Sequence, residues 1–280
     1  MKKILSILIV LALAIGLIGC GGSGDEITVV SREDGSGTRG AFIELMGILE
    51  KDADGNKKDL TTEDAVIANK TDVMLATIAG DESSIGYVSL GSLNDNVKAL
   101  SVDGVEATPE NINNGSYKVA RPFNIATKGN RSKLVEDFIK FVLSAEGQAI
   151  VDKIYVSVNK NAESYTSTNL IGKLVIAGSS SVSPLTEKLV EAYNKINPNV
   201  VIEIQTNDST AGMNGAIEGT CDIGMASRDL KESELEHLEG VTIAMDGIAI
   251  IVNNENPIDD LSSEQVKKIF TGEITSWDQL

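Results

Sequence analysis

The stretch GKLVIAGSSSVSPLTEKLVEAY, Gly172 to Tyr193, decides the fold. Lys173 to Ala177 is a β-type run, Gly178 to Ser183 a loop of glycine, serine and one valine, and the rest is helical in pattern, with Leu185, Leu189, Tyr193 and Ile196 on one face. Ser183 is placed to cap that helix and Pro184 to open it, because a serine oxygen takes an orphan N–H and proline has none to lose. The same order recurs twice. Glu26 to Arg32 reads as a strand that runs through a Gly/Ser loop into a helix over Thr38 to Glu50, with Phe42, Leu45, Met46 and Leu49 facing inward. Val200 to Gln205 is a third strand, leading through Thr206-Asn207-Asp208-Ser209 into a helix near Thr210 to Glu218. Strands alternating with helices along most of the chain predict an α/β architecture with parallel sheets.

Such loops have a chemical use. The first turn of a helix carries unpaired N–H groups and the positive end of the helix dipole, and small residues let an anion approach them. Open α/β sheets place these loops at the carboxyl ends of their strands, where ligands collect. One such loop is usually only a turn, whereas several converging with serine hydroxyls make a pocket for a tetrahedral oxyanion. Neither a P-loop nor a dinucleotide-binding glycine fingerprint is present.

The 280 residues are 42% hydrophobic and 23% charged, enough for one large two-lobed domain or two ordinary ones. A net charge of −17 argues against nucleic acid and against a polybasic membrane contact. It does not exclude an anion, because surface charge is screened within about 8 Å at physiological salt and the pocket's own groups decide. Lys2 and Lys3, an apolar run from Ile4 to Ile18 and the ending Leu17-Ile18-Gly19-Cys20 fit a secretory leader too short for a comfortable membrane span. That ending resembles the bacterial lipobox, so Cys20 is the expected lipidation site, followed by a short tether over 21–25. Cys221 then has no partner and reads as a small apolar residue of a buried strand. His237 is the single histidine, in a charged run, and reads as a solvated helix residue. Without a Cys/His cluster, no metal site and no Ser-His-Asp triad is expected, nor any cofactor.

Several stretches resemble the phosphate-binding protein family of the bacterial high-affinity phosphate ABC importer. They are GKLVIAGSSSVSPLTEKLVEAY, QTNDSTAGMNGAIEGTCDIGMASRDL, DGIAIIVNNENP, IFTGEITSWDQL, ITVVSREDGSGTRGAF, SSIGYVSLGSL and RPFNIATKGN. Their order differs from the family's, in which the Ser-rich strand and loop come first and ITSWDQL runs on into ITVVSREDGSGT. The chain therefore reads as a circular permutant, opened just ahead of residue 26, with about 158–172 as a polar linker joining the old ends. A fragment of a tandem pair or a misjoined gene is the rival explanation. The new ends would lie in an exposed loop, and a linker of about fifteen residues spans roughly 20 Å as a coil.

The resemblance implies a two-lobed, periplasmic-binding-protein-like (type II) α/β fold with ligand in the cleft. One lobe would hold 121–246 and the other 247–280 together with 26–120, with crossings near Asp246 to Val252 and Arg121 to Thr127. It implies that Arg32 forks onto phosphate oxygens while Asp34 pairs with it. Ser36, Gly37 and Thr38 would supply N–H groups and hydroxyls, and Ser180, Ser181 and Ser209 hydroxyls from the other lobe. Where the family's best-known members carry an aspartate that accepts the proton of hydrogen phosphate and excludes sulfate, an ungapped match puts Ser227. Asp246, in an apolar strand at the hinge, is the candidate to take over that role, with Ser227 a hydroxyl ligand; capping local structure or pairing with Arg228 is the alternative. Trp277 reads as a packing residue.

The resemblance implies a non-enzymatic receptor, a monomer that binds inorganic phosphate and delivers it to the permease subunits of an ABC transporter. It would be lipid-anchored to the cell membrane on its extracytoplasmic face. The alternatives are a receptor for sulfate, molybdate or phosphonate, and a phosphatase-like enzyme on the same pocket. The second would need a nucleophile with a base or a metal cluster, and neither is found in the sequence.

Overall fold

A computed structural model describes residues 26–52 and 56–280. The leader, Cys20 and the 21–25 tether lie outside the described residues. In chain order the elements begin β1 (Thr28–Arg32), α1 (Gly37–Leu45), β2 (Leu49–Lys51), β3 (Lys57–Asp59), β4 (Val66–Ala68), α2 (Thr71–Gly80), β5 (Ser84–Ser89), β6 (Val97–Val102), α3 (Pro109–Asn113) and β7 (Ala120–Thr127). They continue α4 (Lys133–Val142), α5 (Ala145–Val151), β8 (Gly172–Ser179), α6 (Ser183–Ile196), β9 (Val200–Asn207), α7 (Ser209–Glu218) and β10 (Ile223–Ala226). The last are α8 (Glu232–Leu235), β11 (Glu239–Asn253), β12 (Asp260–Leu261) and α9 (Ser263–Phe270).

The sheet runs β4-β1-β5-β11-β7-β10-β8-β9, with β6 on β11 and β12 on β6. At one end β1 pairs parallel with β4 and β5; at the other β8 pairs parallel with β9 and β10. The middle is antiparallel and is made by one long strand. Residues 239–247 of β11 pair with β7, and residues 248–253 pair with β5 and β6. The apolar side chains divide accordingly. One core gathers Phe123, Phe138, Phe141, Leu174, Ile176, Tyr193 and Ile223, and another Phe42, Ile85, Tyr87, Tyr117, Ile250 and Phe270. Since β11 and β7 are shared, these two strands are the covalent and hydrogen-bonded passage between the halves.

Four local expectations need correction. The first helix ends at Leu45 rather than Glu50, because Gly47 takes a left-handed φ of 66° and the chain turns into β2. Ser183 is the first residue of α6 and not its cap: its Oγ meets the Ser179 carbonyl and the Thr206 hydroxyl instead. Cys221 is buried, but it lies in the bend before β10 rather than in a strand. The segment 158–172 is no free tether either, since Tyr165 is buried and its hydroxyl donates to Asp137 at 2.6 Å.

Candidate functional site

Four helices begin at one place. Gly37 opens α1, Thr71 opens α2, Ser180 and Ser181 precede α6, and Ser209 opens α7. Strands β1, β8 and β9 deliver three of these starts, and each start exposes small hydroxyl side chains because larger ones would keep the halves apart. A Cβ on Gly37 would lie 2.3 Å from Ser209 Oγ and 2.8 Å from Ser227 Oγ, and a Cβ on Gly35 would lie 2.4 Å from Asp208 Oδ1. Thr210 closes the same seam by donating its N–H and hydroxyl to the Gly35 carbonyl, each at 3.2 Å.

The hydroxyls meet across the seam. Thr38 and Ser181 are 2.7 Å apart, Thr71 and Ser180 3.1 Å, and Ser179 and Ser227 2.9 Å. Ser209 Oγ accepts the Ser227 N–H at 3.1 Å. All six cradle hydroxyls, on Thr38, Thr71, Ser180, Ser181, Ser209 and Ser227, are buried. Ser36 contributes differently: its Oγ caps α1 by accepting the Arg39 N–H at 3.3 Å.

Two buried guanidiniums point into this cluster. Arg32, at the end of β1, donates to Ser180 Oγ at 3.1 Å and Thr71 Oγ1 at 3.3 Å. Its carboxylate partner is Glu33, bound through Nε and Nη2 at 2.8 Å each. Asp34, expected in that role, is turned outward in the loop and pairs with Arg39 at 3.0 Å. Arg39 in turn donates to the Arg32 carbonyl at 2.8 Å and to Asp59, which pins the end of β1.

The second guanidinium is Arg121 on β7. It faces Asp246 directly across the β7/β11 ladder, and its Nε and Nη2 bind one oxygen of that carboxylate at 3.3 and 3.0 Å. Its Nη1 remains for the cradle, 2.8 Å from Thr38 Oγ1 and 2.7 Å from the Ser227 carbonyl. The other Asp246 oxygen accepts from Ser89 at 2.9 Å. Asp246 thus stands behind Arg121, with both oxygens occupied, and is not placed to accept a proton from a ligand. Arg228 does not pair with it, being held by both oxygens of Glu234 at 2.7 and 2.8 Å.

Burial sets the electrostatics of this pair. Loss of solvent pushes the Asp246 carboxyl up to about 6, opposed by Arg121 and by the Ser89 hydrogen bond. The same loss lowers the Arg121 guanidinium, opposed by Asp246. Tyr117 lies beside them with its hydroxyl donating to the Ile248 carbonyl, and burial raises it further from ionisation. Each partner is held charged mainly by the other, so the pair acts as a unit.

The sequence matches the PBP superfamily domain over residues 19–146 and 163–280. Phosphate-binding protein PstS 2 of Streptococcus agalactiae is 50% identical, over 99% of this chain and 98% of its own. The chain belongs to the PstS phosphate-binding protein family. A crystal structure of a phosphate-binding protein of a phosphate ABC transporter from Streptococcus pneumoniae is 48% identical, covers 91% of this chain and 99% of its own, and superposes with a TM-score of 0.71. The phosphate-binding protein PstS of Bacillus subtilis matches at 34% identity over only 39% of this chain and 37% of its own. The PstS family membership and this superposition establish the two-lobed binding-protein fold.

Of the residues named from the sequence, the structure brings Arg32, Gly37, Thr38, Ser180, Ser181, Ser209 and Ser227 to the seam, while Ser36 caps α1 beside it. The sequence reading missed Arg121 and Thr71. Arg121 did leave a trace: a lone cation inside the strand pattern KVARPFNIAT, matched by a lone carboxylate inside the strand pattern AMDGIAII. Thr71 left none, because Lys70 rather than a Gly/Ser loop precedes its helix.

Proposed function

We propose that this protein binds inorganic phosphate between its lobes and delivers it to the membrane permease of an ABC transporter. The observation that carries the reading is the convergence of Arg32, Arg121 and six buried hydroxyls from both halves on one seam. Guanidiniums fork onto phosphate oxygens, hydroxyls and helix-start N–H groups complete a tetrahedral shell, and only the closed arrangement presents all of them. Ligand then drives closure as a population shift, since its contacts are complete in one state alone. The PstS relatives are named as phosphate-binding proteins, and their phosphate transporter context supports the same reading for this chain. The protein acts as a receptor and not as an enzyme, on the extracytoplasmic face, held to the membrane through a lipid on Cys20.

We read the order of its segments as a circular permutation relative to PstS proteins such as that of Bacillus subtilis, a reading supported by the match to it over little more than a third of each chain. Calorimetric titration of the purified, phosphate-free protein tests the main proposal. One phosphate per chain is expected, with binding weakened about a hundredfold or more in Arg32→Met; a folded protein that takes up no phosphate would overturn it.

A further inference from the structure

Two consecutive residues, Tyr155 and Val156, belong to different halves of the molecule. Tyr155 packs in the core that holds Phe123, and Val156 in the core that holds Phe42. Both sit in the turn that follows α5, and the main chain there is tied to the long crossing strand. The Val156 N–H donates to the Met245 carbonyl at 3.0 Å, and the Met245 N–H donates to the Val156 carbonyl at 2.9 Å. Pro122, opposite Met245 on β7, has no N–H and is tolerated there because Met245 turns its own polar groups to Val156.

Held in this way, Tyr155 reaches two supports of Arg121. On one side its ring lies 5.4 Å from that of Phe123, and the Arg121 guanidinium sits over the Phe123 ring at 5.2 Å. On the other side its hydroxyl end meets Gly91, in the 3₁₀ turn Leu90–Ser92 that leaves β5. A Cβ on Gly91 would overlap the Tyr155 hydroxyl and Cζ, and Gly91 has no left-handed φ, so space and not backbone conformation accounts for the glycine. The same stretch of chain supports Asp246: the Ser89 hydroxyl donates to it at 2.9 Å, and the Leu90 N–H bears on it as well. Arg121 is thus held by Phe123 beneath its guanidinium and by Ser89 and Leu90 behind its counter-ion, and both supports rest on Tyr155. The tyrosine is buried, which raises its hydroxyl further from ionisation, so a neutral group seats against Gly91 beside the charged pair.

We propose that Tyr155 is a positioning residue for phosphate binding: seated on Gly91, it sets how far the two halves close and hence where Arg121 stands when ligand is enclosed. A close-packed contact yields little, so it fixes an angle where a loose one would permit a range. Tyr155 acts through Phe123 and through the chain from Ser89 to Asp246 to Arg121, not on the ligand. The inference rests on the reading of the seam as the phosphate site.

Calorimetric titration of inorganic phosphate into the purified protein and its variants tests it, with Tm recorded for each ligand-free sample. Tyr155→Leu should weaken phosphate about ten- to a hundredfold, the range of a misplaced hydrogen bond to a charged group. Tyr155→Phe, which keeps the ring, should recover most of that loss. Gly91→Ala sets a methyl against the hydroxyl and should weaken phosphate about tenfold or more by overpacking the contact. In the Tyr155→Leu background the same methyl should cost less than about threefold, because the two positions act through one contact. A residue that only stabilised the fold would lower Tm and leave the Kd of the folded protein as it was. That result for Tyr155→Leu, or losses that simply add in the double variant, would overturn the inference while leaving the phosphate reading intact. Should Tyr155→Leu not fold, Gly91→Ala decides, and an unchanged Kd there overturns the inference. Failure of the unaltered protein to bind phosphate would overturn the reading of the seam and this inference with it.

Discussion

Arg121 carries two duties that no shorter cation can combine. Its Nε and Nη2 hold Asp246 while Nη1 reaches Thr38 and the Ser227 carbonyl, an arrangement that depends on the planar fork. Arg121→Lys should therefore keep a charge at the hinge yet weaken phosphate by about ten- to a hundredfold, the equivalent of a lost hydrogen bond to a charged group. Titration calorimetry of the variant checks this, and an unchanged Kd would remove Arg121 from the site.

Asp246 gives a pH signature of its own. Its folded-state carboxyl is raised from 3.8 to about 6, so between those values the unfolded chain has lost a proton that the native protein still holds. Stability contributed by this group is therefore present at about pH 4 and declines as pH rises towards 6. Asp246→Asn leaves Arg121 facing a neutral group at every pH and removes this titration. The difference in Tm between the two proteins should shrink from pH 4 to 6; a constant difference would mean that Asp246 does not titrate in that range.

At the scale of elements, the strand-loop-helix units were legible because each rests on local grammar. The strand seen from Lys173 to Ala177 extends from Gly172 to Ser179, and the helix seen from Thr210 to Glu218 begins one residue earlier. What was not legible depends on partners far along the chain: Arg121 finds Asp246 125 residues away, and nothing local marks the two as a pair. Asp34 illustrates the opposite error, for the family resemblance implied a pairing with Arg32, whereas the turn of the loop gives Asp34 to Arg39. The start of α1 offers a clean test of how the elements meet. Gly37→Ala would put a methyl against Ser209 Oγ and Ser227 Oγ, whereas Gly80, at the end of α2, has open space around it. Gly37→Ala should weaken phosphate a hundredfold or more by holding the seam apart, with Tm of the ligand-free protein little changed. Gly80→Ala should leave affinity where it was and, by narrowing the unfolded ensemble, leave Tm equal or slightly higher. Equal affinities in the two variants would exclude this seam as the place where ligand is enclosed.

For the whole molecule, the question is how much the chain order matters once the lobes have formed. Residues 26 and 276 form an antiparallel bridge, and the Ile27 N–H donates to the Thr275 carbonyl at 2.8 Å, so the start of β1 already lies beside the end of the chain. The segment 158–172 is better anchored than its polar composition suggested. Tyr165 is packed edge-on to Phe141, donates to Asp137 and accepts from Asn197, while Thr168 takes the second Asp137 oxygen. Residues 159–161, by contrast, are exposed. A protein reopened between Asn159 and Asn161, with Leu280 joined to Glu26 by a short Gly/Ser bridge, keeps the Tyr165 anchor and every contact of the cradle. It should unfold in a single cooperative transition, followed by the fluorescence of Trp277, whose indole N–H is held by the Ser83 carbonyl in the second core. Its phosphate Kd should lie within about threefold of the original, because opening an exposed turn and bridging adjacent ends leaves the folded contacts untouched. Loss of cooperativity or of binding would mean that the present order of segments is itself required, and the permutation proposal would fail.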